Sequence, residues 1–166
     1  MKDFDYYYEM SANVNSKTEQ IVFNDSHEKI YTLKRFNKNL IDKILTYREP
    51  KSCVNVILGD DLDNPLVTVI ESWSLKRKFT IKHHDNAEPI SARANPQKFE
   101  TSLNDEIYSF VKNDDSNLIV YKNNQKVLKS TTKRVGLTLN NYIKIYNEEV
   151  DLKLAIACLH TFNLAY

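Results

Sequence analysis

Three short runs of cations recur along this chain: Lys34-Arg35, Lys76-Arg77-Lys78 and Lys133-Arg134. Each follows a stretch that reads as a hairpin. If the sheet closes, some of these runs gather on one rim, where ammonium and guanidinium groups attract phosphate. An exposed cation beside an anionic membrane contributes about 1 kcal/mol, so three or four give weak binding that salt screens. Lysine and arginine also protect exposed strands from edge pairing, and both uses fit the spacing.

The other constellations are weaker. His83-His84-Asp85 is the one cluster of histidine with aspartate. Neighbours on a strand point to opposite faces, and metals take three or four ligands, so it reads as a polar turn and no metal is assigned. Asp60-Asp61-Leu62-Asp63-Asn64 lacks the interior glycine and distal glutamate of a calcium loop and reads as a solvated turn. His160 is a lone imidazole among apolar neighbours, expected to be a core histidine bonded to a strand carbonyl. Catalysis there needs a nucleophile and an orienting acid, and the sequence supplies neither. No spacing isolates two of the 22 acidic residues as a catalytic pair. No catalytic residue and no cofactor is assigned. Ten tyrosines and Trp73 can stack on bases or pair across strands; without an RNA-binding signature, nucleic acid is an unlikely partner.

Composition narrows the classes further. The only glycines are Gly59 and Gly136, which argues against Gly-rich phosphate loops. With 23 basic and 22 acidic residues the net charge is +1, so nothing steers the whole chain toward nucleic acid. Cys53 and Cys158 sit far apart in apolar contexts and read as small buried hydrophobes, which fits a reducing compartment. The start, MKDFDYYYEM, has no basic-then-apolar signal pattern. The longest apolar run, 154–159, is six residues, well short of the ~20 that span a bilayer. The expected location is cytoplasmic, peripheral to a membrane where the cations meet one.

The elements that must position these residues are mostly hairpins. Residues 21–23, 54–58, 79–82 and 118–121 are β-branched or aromatic runs. Each leads into an Asn/Asp-rich tip, around Asp25, Asp60, Asp85 or Asn123, and out into a second such run. The scarcity of glycine suggests tips longer than two residues. Residues 40–47 suit a helical turn or a strand, and 137–146 suit a strand pair or one bent strand. The tail is different. Residues 150–166, VDLKLAIACLHTFNLAY, read as a helix apolar on nearly every side, which protein or lipid must enclose. Asn147 is its expected cap, with Glu148, Glu149 and Asp151 in the first turn.

Hairpins around Asp25, Asp60, Asp85 and Asn123, followed by the segment from Glu148 through Leu159, make an unusual order. It resembles the tubby C-terminal-like superfamily, which includes LURP-one-related proteins, phospholipid scramblases and many small bacterial proteins. The resemblance implies a barrel of about twelve strands closed around a central C-terminal helix. The tubby branch binds phosphoinositides, but no residue motif here carries that site over. The expected fold is mainly β: a closed antiparallel β-barrel of roughly 10–12 strands around a buried hydrophobic C-terminal α-helix. One domain covers residues 1–166, with strands over 4–146 and the helix over about 148–165. The expected function is a non-enzymatic cytoplasmic binding module that recognises a partner protein or an anionic phospholipid headgroup through its basic clusters. The alternative is a small-ligand carrier or enzyme with a pocket at the barrel mouth.

Overall fold

The β-branched and aromatic runs between Asn/Asp clusters become strands, because such side chains pack well on a pleated surface. The structure, a computed structural model, describes residues 3–11, 13, 15–72, 74–114 and 117–166. Trp73 lies outside the described residues. Twelve strands and two helices follow one another among those described. They are β1 (Tyr6–Met10), β2 (Gln20–Asn24), β3 (Lys29–Phe36), α1 (Leu40–Arg48), β4 (Asn55–Gly59), β5 (Pro65–Ser72) and β6 (Lys78–His83). Then come β7 (Ile90–Asn95), β8 (Lys98–Leu103), β9 (Glu106–Asp114), β10 (Asn117–Lys122), β11 (Gln125–Val135), β12 (Thr138–Ile145) and α2 (Leu152–Ala165). Each strand pairs antiparallel with the next, and β1 pairs β12 with Tyr8 opposite Asn141, closing the barrel.

Strand direction alternates, so the connections fall at two mouths. The β2–β3, β4–β5, β6–β7, β8–β9 and β10–β11 tips surround the start of α2. The connections β1–β2, β3–β4, β5–β6, β7–β8 and β11–β12 surround its end. The first is the entry mouth and the second the exit mouth.

A ring of this many strands leaves an interior that wall side chains alone do not fill, and α2 occupies it. Leu154, Ala155, Ile156, Ala157, Cys158 and Leu159 are fully buried. The helix backbone lies nearest β4 and β5, a close approach that small residues such as Ala155 and Ala157 favour. Rings fill other parts of the interior: Phe99 stands 5.2 Å from Phe79, 5.6 Å from Phe110 and 6.2 Å from Phe162 between centroids.

The helix starts at Leu152, later than the acidic pair suggests, and its cap is Asp151, whose side chain accepts the Leu154 N–H at 2.9 Å. Asn147 instead accepts the Glu149 N–H at 2.9 Å in a turn. The reason is geometric. Both Tyr146 and Asn147 still donate to the Val127 carbonyl of the wall, so the chain must cross to the axis before a helix can begin.

Two turns differ from expectation. Asn104-Asp105 (φ 52° and 65°) and Asn123-Asn124 (φ 49° and 66°) form two-residue hairpin tips in the left-handed region. Asn and Asp tolerate that conformation, so scarce glycine did not lengthen these loops. Gly59 is needed for space: a Cβ there would run into the Asp61 backbone oxygen. Residues 40–47 are helical, capped by Asn39 through the Asp42 N–H at 2.9 Å. Residues 138–145 form one strand, with Asn141 directed inward.

Candidate functional site

All three cation runs belong to the exit mouth: Lys34-Arg35 near the end of β3, Lys76-Arg77-Lys78 at the β5–β6 connection, and Lys133-Arg134 near the end of β11. They do not converge on one spot. In the ring β11 stands four strands from β3 and five from β6, and each step is about 4.8 Å.

Arg35 leaves the candidate patch. Side chains alternate across a strand, so when Lys34 faces outward, 3.5 Å from Glu19 Oε1, Arg35 faces inward and is buried. Its guanidinium donates to the Pro50 and Ser52 carbonyls, each at 2.8 Å. Burial lowers its pKa, and the nearby Glu71 carboxylate works the other way. Arg77 is a half-buried counterpart. Its Nε and a terminal nitrogen grip Glu71 at 2.7 and 3.0 Å, and it also donates to the Ala165 and Lys51 carbonyls. Its guanidinium carbon lies 5.0 Å from the Tyr166 ring centroid. Both arginines therefore hold the segment before β4, and Arg77 ties it to the end of α2.

Lys76, Lys78, Lys133 and Arg134 are exposed. Lys76, Arg77 and Lys78 line a surface groove of about 860 Å³ with Arg93, Lys98, Glu100, Leu75 and Tyr166. Register builds it: Lys78 lies opposite Arg93, and Arg93 opposite Glu100. Placing like charges across a pair of strands costs stability, a cost that an anionic ligand would offset. Lys98 pairs with Glu100 and holds that carboxyl below the usual range. Arg93 and Lys98 are isolated cations in sequence, and only strand pairing reveals them. Lys133 lines a separate wall groove with Lys129, Lys144 and Tyr142.

Exposed apolar side chains crowd the same mouth. Leu75 and Leu137 project fully into solvent, beside Lys76 and near Arg134, and α1 exposes Leu40, Ile41, Ile44 and Tyr47. The entry mouth has the opposite character. Its tips hold Asp25, Asp60, Asp61, Asp63, Glu88, Asp105, Glu148 and Glu149, against Lys29, Lys122, Lys126 and Lys153. A net charge of +1 thus conceals a separation of charge along the barrel axis.

Inside, a polar chain crosses the core: Ser130 donates to Asn141, and Asn141 donates to the Tyr8 hydroxyl at 3.0 Å. Burial raises the Tyr8 pKa. His160 stands edge-on to Tyr8 at 5.5 Å, and burial, with the Arg35 charge second, pushes its pKa down to about 4. Its Nδ1 has no hydrogen-bond partner among the described residues, unlike the carbonyl-bonded histidine the sequence suggests. Both cysteines are buried thiols outside any disulfide, and burial pushes the Cys158 thiol upward. A pocket of about 170 Å³ opens at the exit mouth beside Ser130, Phe162 and Asn163. No helix among the described residues is long and apolar enough to cross a membrane.

Fold and site together define a β-barrel plugged by its own helix, with a cationic, apolar-tipped mouth. The chain belongs to the Tubby C-terminal like domain family, whose model matches residues 6–166. No curated protein and no solved structure matches it.

Proposed function

We propose that the chain is a non-enzymatic binding module that sets its exit mouth against an anionic phospholipid surface, with headgroup phosphates in the groove of Lys76, Lys78, Arg93 and Lys98. The observation that supports this most is the coincidence of that groove with Leu75, a fully exposed apolar side chain at its rim. Apolar tips that enter the acyl boundary beside cations that meet headgroups are the chemistry of reversible interfacial binding. A cytoplasmic location goes with this reading, since the cytoplasmic leaflet is the anionic one. A small-ligand carrier has less support, because α2 fills the barrel interior and the larger hollows, such as the groove of about 860 Å³, lie open on the surface.

Co-sedimentation with phosphatidylserine-containing vesicles at low and high salt tests the proposal. The protein is expected to bind at low salt and to release as salt rises. Lys76→Glu with Lys78→Glu is expected to weaken binding at least about tenfold, given the worth of each cation. No sedimentation at low salt overturns the lipid reading and leaves a protein partner for the same surface.

A further inference from the structure

At the entry mouth, we propose that His83, His84 and Asp85 form a site for a divalent first-row transition ion, independent of the lipid-facing groove. β6 places Phe79, Ile81 and His83 inward by alternation, so the His83 side chain is only 1% exposed. The chain then leaves the sheet. His84 N–H donates to the Leu66 carbonyl at 2.9 Å and Asn86 N–H to the His83 carbonyl at 3.0 Å. This turn cancels the alternation that would send adjacent residues to opposite faces. The two imidazoles stack with centroids 5.3 Å apart. Asp85 folds back over both rings, with Oδ1 2.9 Å from His84 Nε2 and Oδ2 3.8 Å from His83 Nδ1. One ligand atom from each residue lies within 4.8 Å of the others. An ion bound at about 2.0–2.2 Å needs its ligand atoms roughly 3–4 Å apart, so small side-chain rotations complete the site.

The surroundings of His83 match a metal-binding imidazole. Its Nδ1 accepts the Asp85 backbone N–H at 3.2 Å, which puts the proton of the neutral ring on Nε2. Nε2 is buried without an aligned hydrogen bond, and Asp151 Oδ2 stands 3.0 Å from it while Asp151 Oδ1 caps α2, so a small turn of the ring would bring the carboxylate onto its N–H. A carboxylate on the far nitrogen fixes the tautomer and ring of a coordinating histidine and raises its basicity. Nδ1 is thus the lone-pair atom, and an ion bound there must replace the hydrogen bond from the Asp85 N–H. Two imidazoles and one carboxylate suit zinc, nickel, cobalt or copper rather than magnesium or calcium. Lys153 Nζ now sits 3.1 Å from Asp85 Oδ2 and holds that carboxyl below its usual range, so the ion must displace an ammonium group.

Titration of the full chain with Zn²⁺ by calorimetry, and with Co²⁺ by visible absorption, tests the site. One equivalent of either ion is expected to bind, with ligand-field bands for Co²⁺. His84→Ala and Asp85→Asn are each expected to weaken binding at least about tenfold without lowering the melting temperature of the metal-free protein, because both side chains are exposed. Lys153→Gln is expected to tighten it. Less than one equivalent on the unaltered chain overturns the proposal. So does binding unchanged in His84→Ala and Asp85→Asn, which would leave the cluster a polar turn whose counterion is Lys153.

Discussion

Arg35 and Lys76 look alike in the sequence and do different work. A buried guanidinium that donates to the Pro50 and Ser52 carbonyls leaves unpaired acceptors when it is removed. Arg35→Ala is expected to lower the unfolding free energy by about 3 kcal/mol in urea titrations, with vesicle binding per folded molecule unchanged. Lys76→Ala should do the reverse. The cation runs were legible in the sequence, but the phase of alternation within β3 was not, because it depends on which face closes inward. His160 gives a second expectation at this scale. Burial holds its folded pKa at about 4, below the ordinary imidazole value of about 6.5, so the unfolded chain takes up the proton first. The stabilisation is complete above about pH 6.5 and declines as pH falls toward 4, by up to about 3 kcal/mol. Melting temperatures between pH 7 and 4 check this, and His160→Phe is expected to flatten that limb.

The elements were read most securely where chemistry is local. Hairpin tips at Asp25, Asp60, Asp85 and Asn123 follow from the backbone habits of Asn and Asp, and the enclosed helix from its all-round apolarity. Less was visible where a distant wall decides. The start of α2 depends on Val127 holding Tyr146 and Asn147, and the cationic groove on β6, β7 and β8 lying side by side. Arg93 and Lys98 left no local signal. Ile156, fully buried, tests the helix itself. Ile156→Asp places a charge where water does not reach and is expected to abolish cooperative unfolding. Ile156→Ala is expected to cost roughly 3 kcal/mol in denaturant titrations while leaving the fold intact.

At the scale of the whole molecule, the up-and-down order sorts the chain's charges. Every other connection reaches the same mouth, so cations near alternate strand ends collect at one pole and carboxylates at the other. On the proposed reading, that polarity would orient the barrel toward a negative surface before any contact forms. The seam between β1 and β12 has a different consequence. Tyr6 meets Ile143 there, whereas every other strand pairs with its immediate successor. Joining chain segments so far apart in sequence has the largest loop-closure cost in the sheet, and a sealed ring admits no helix through its side. The seam is therefore expected to zip last, over a tail already lying on β4 and β5. Tyr8→Phe at the seam is expected to accelerate unfolding in stopped-flow experiments and to leave the refolding rate almost untouched.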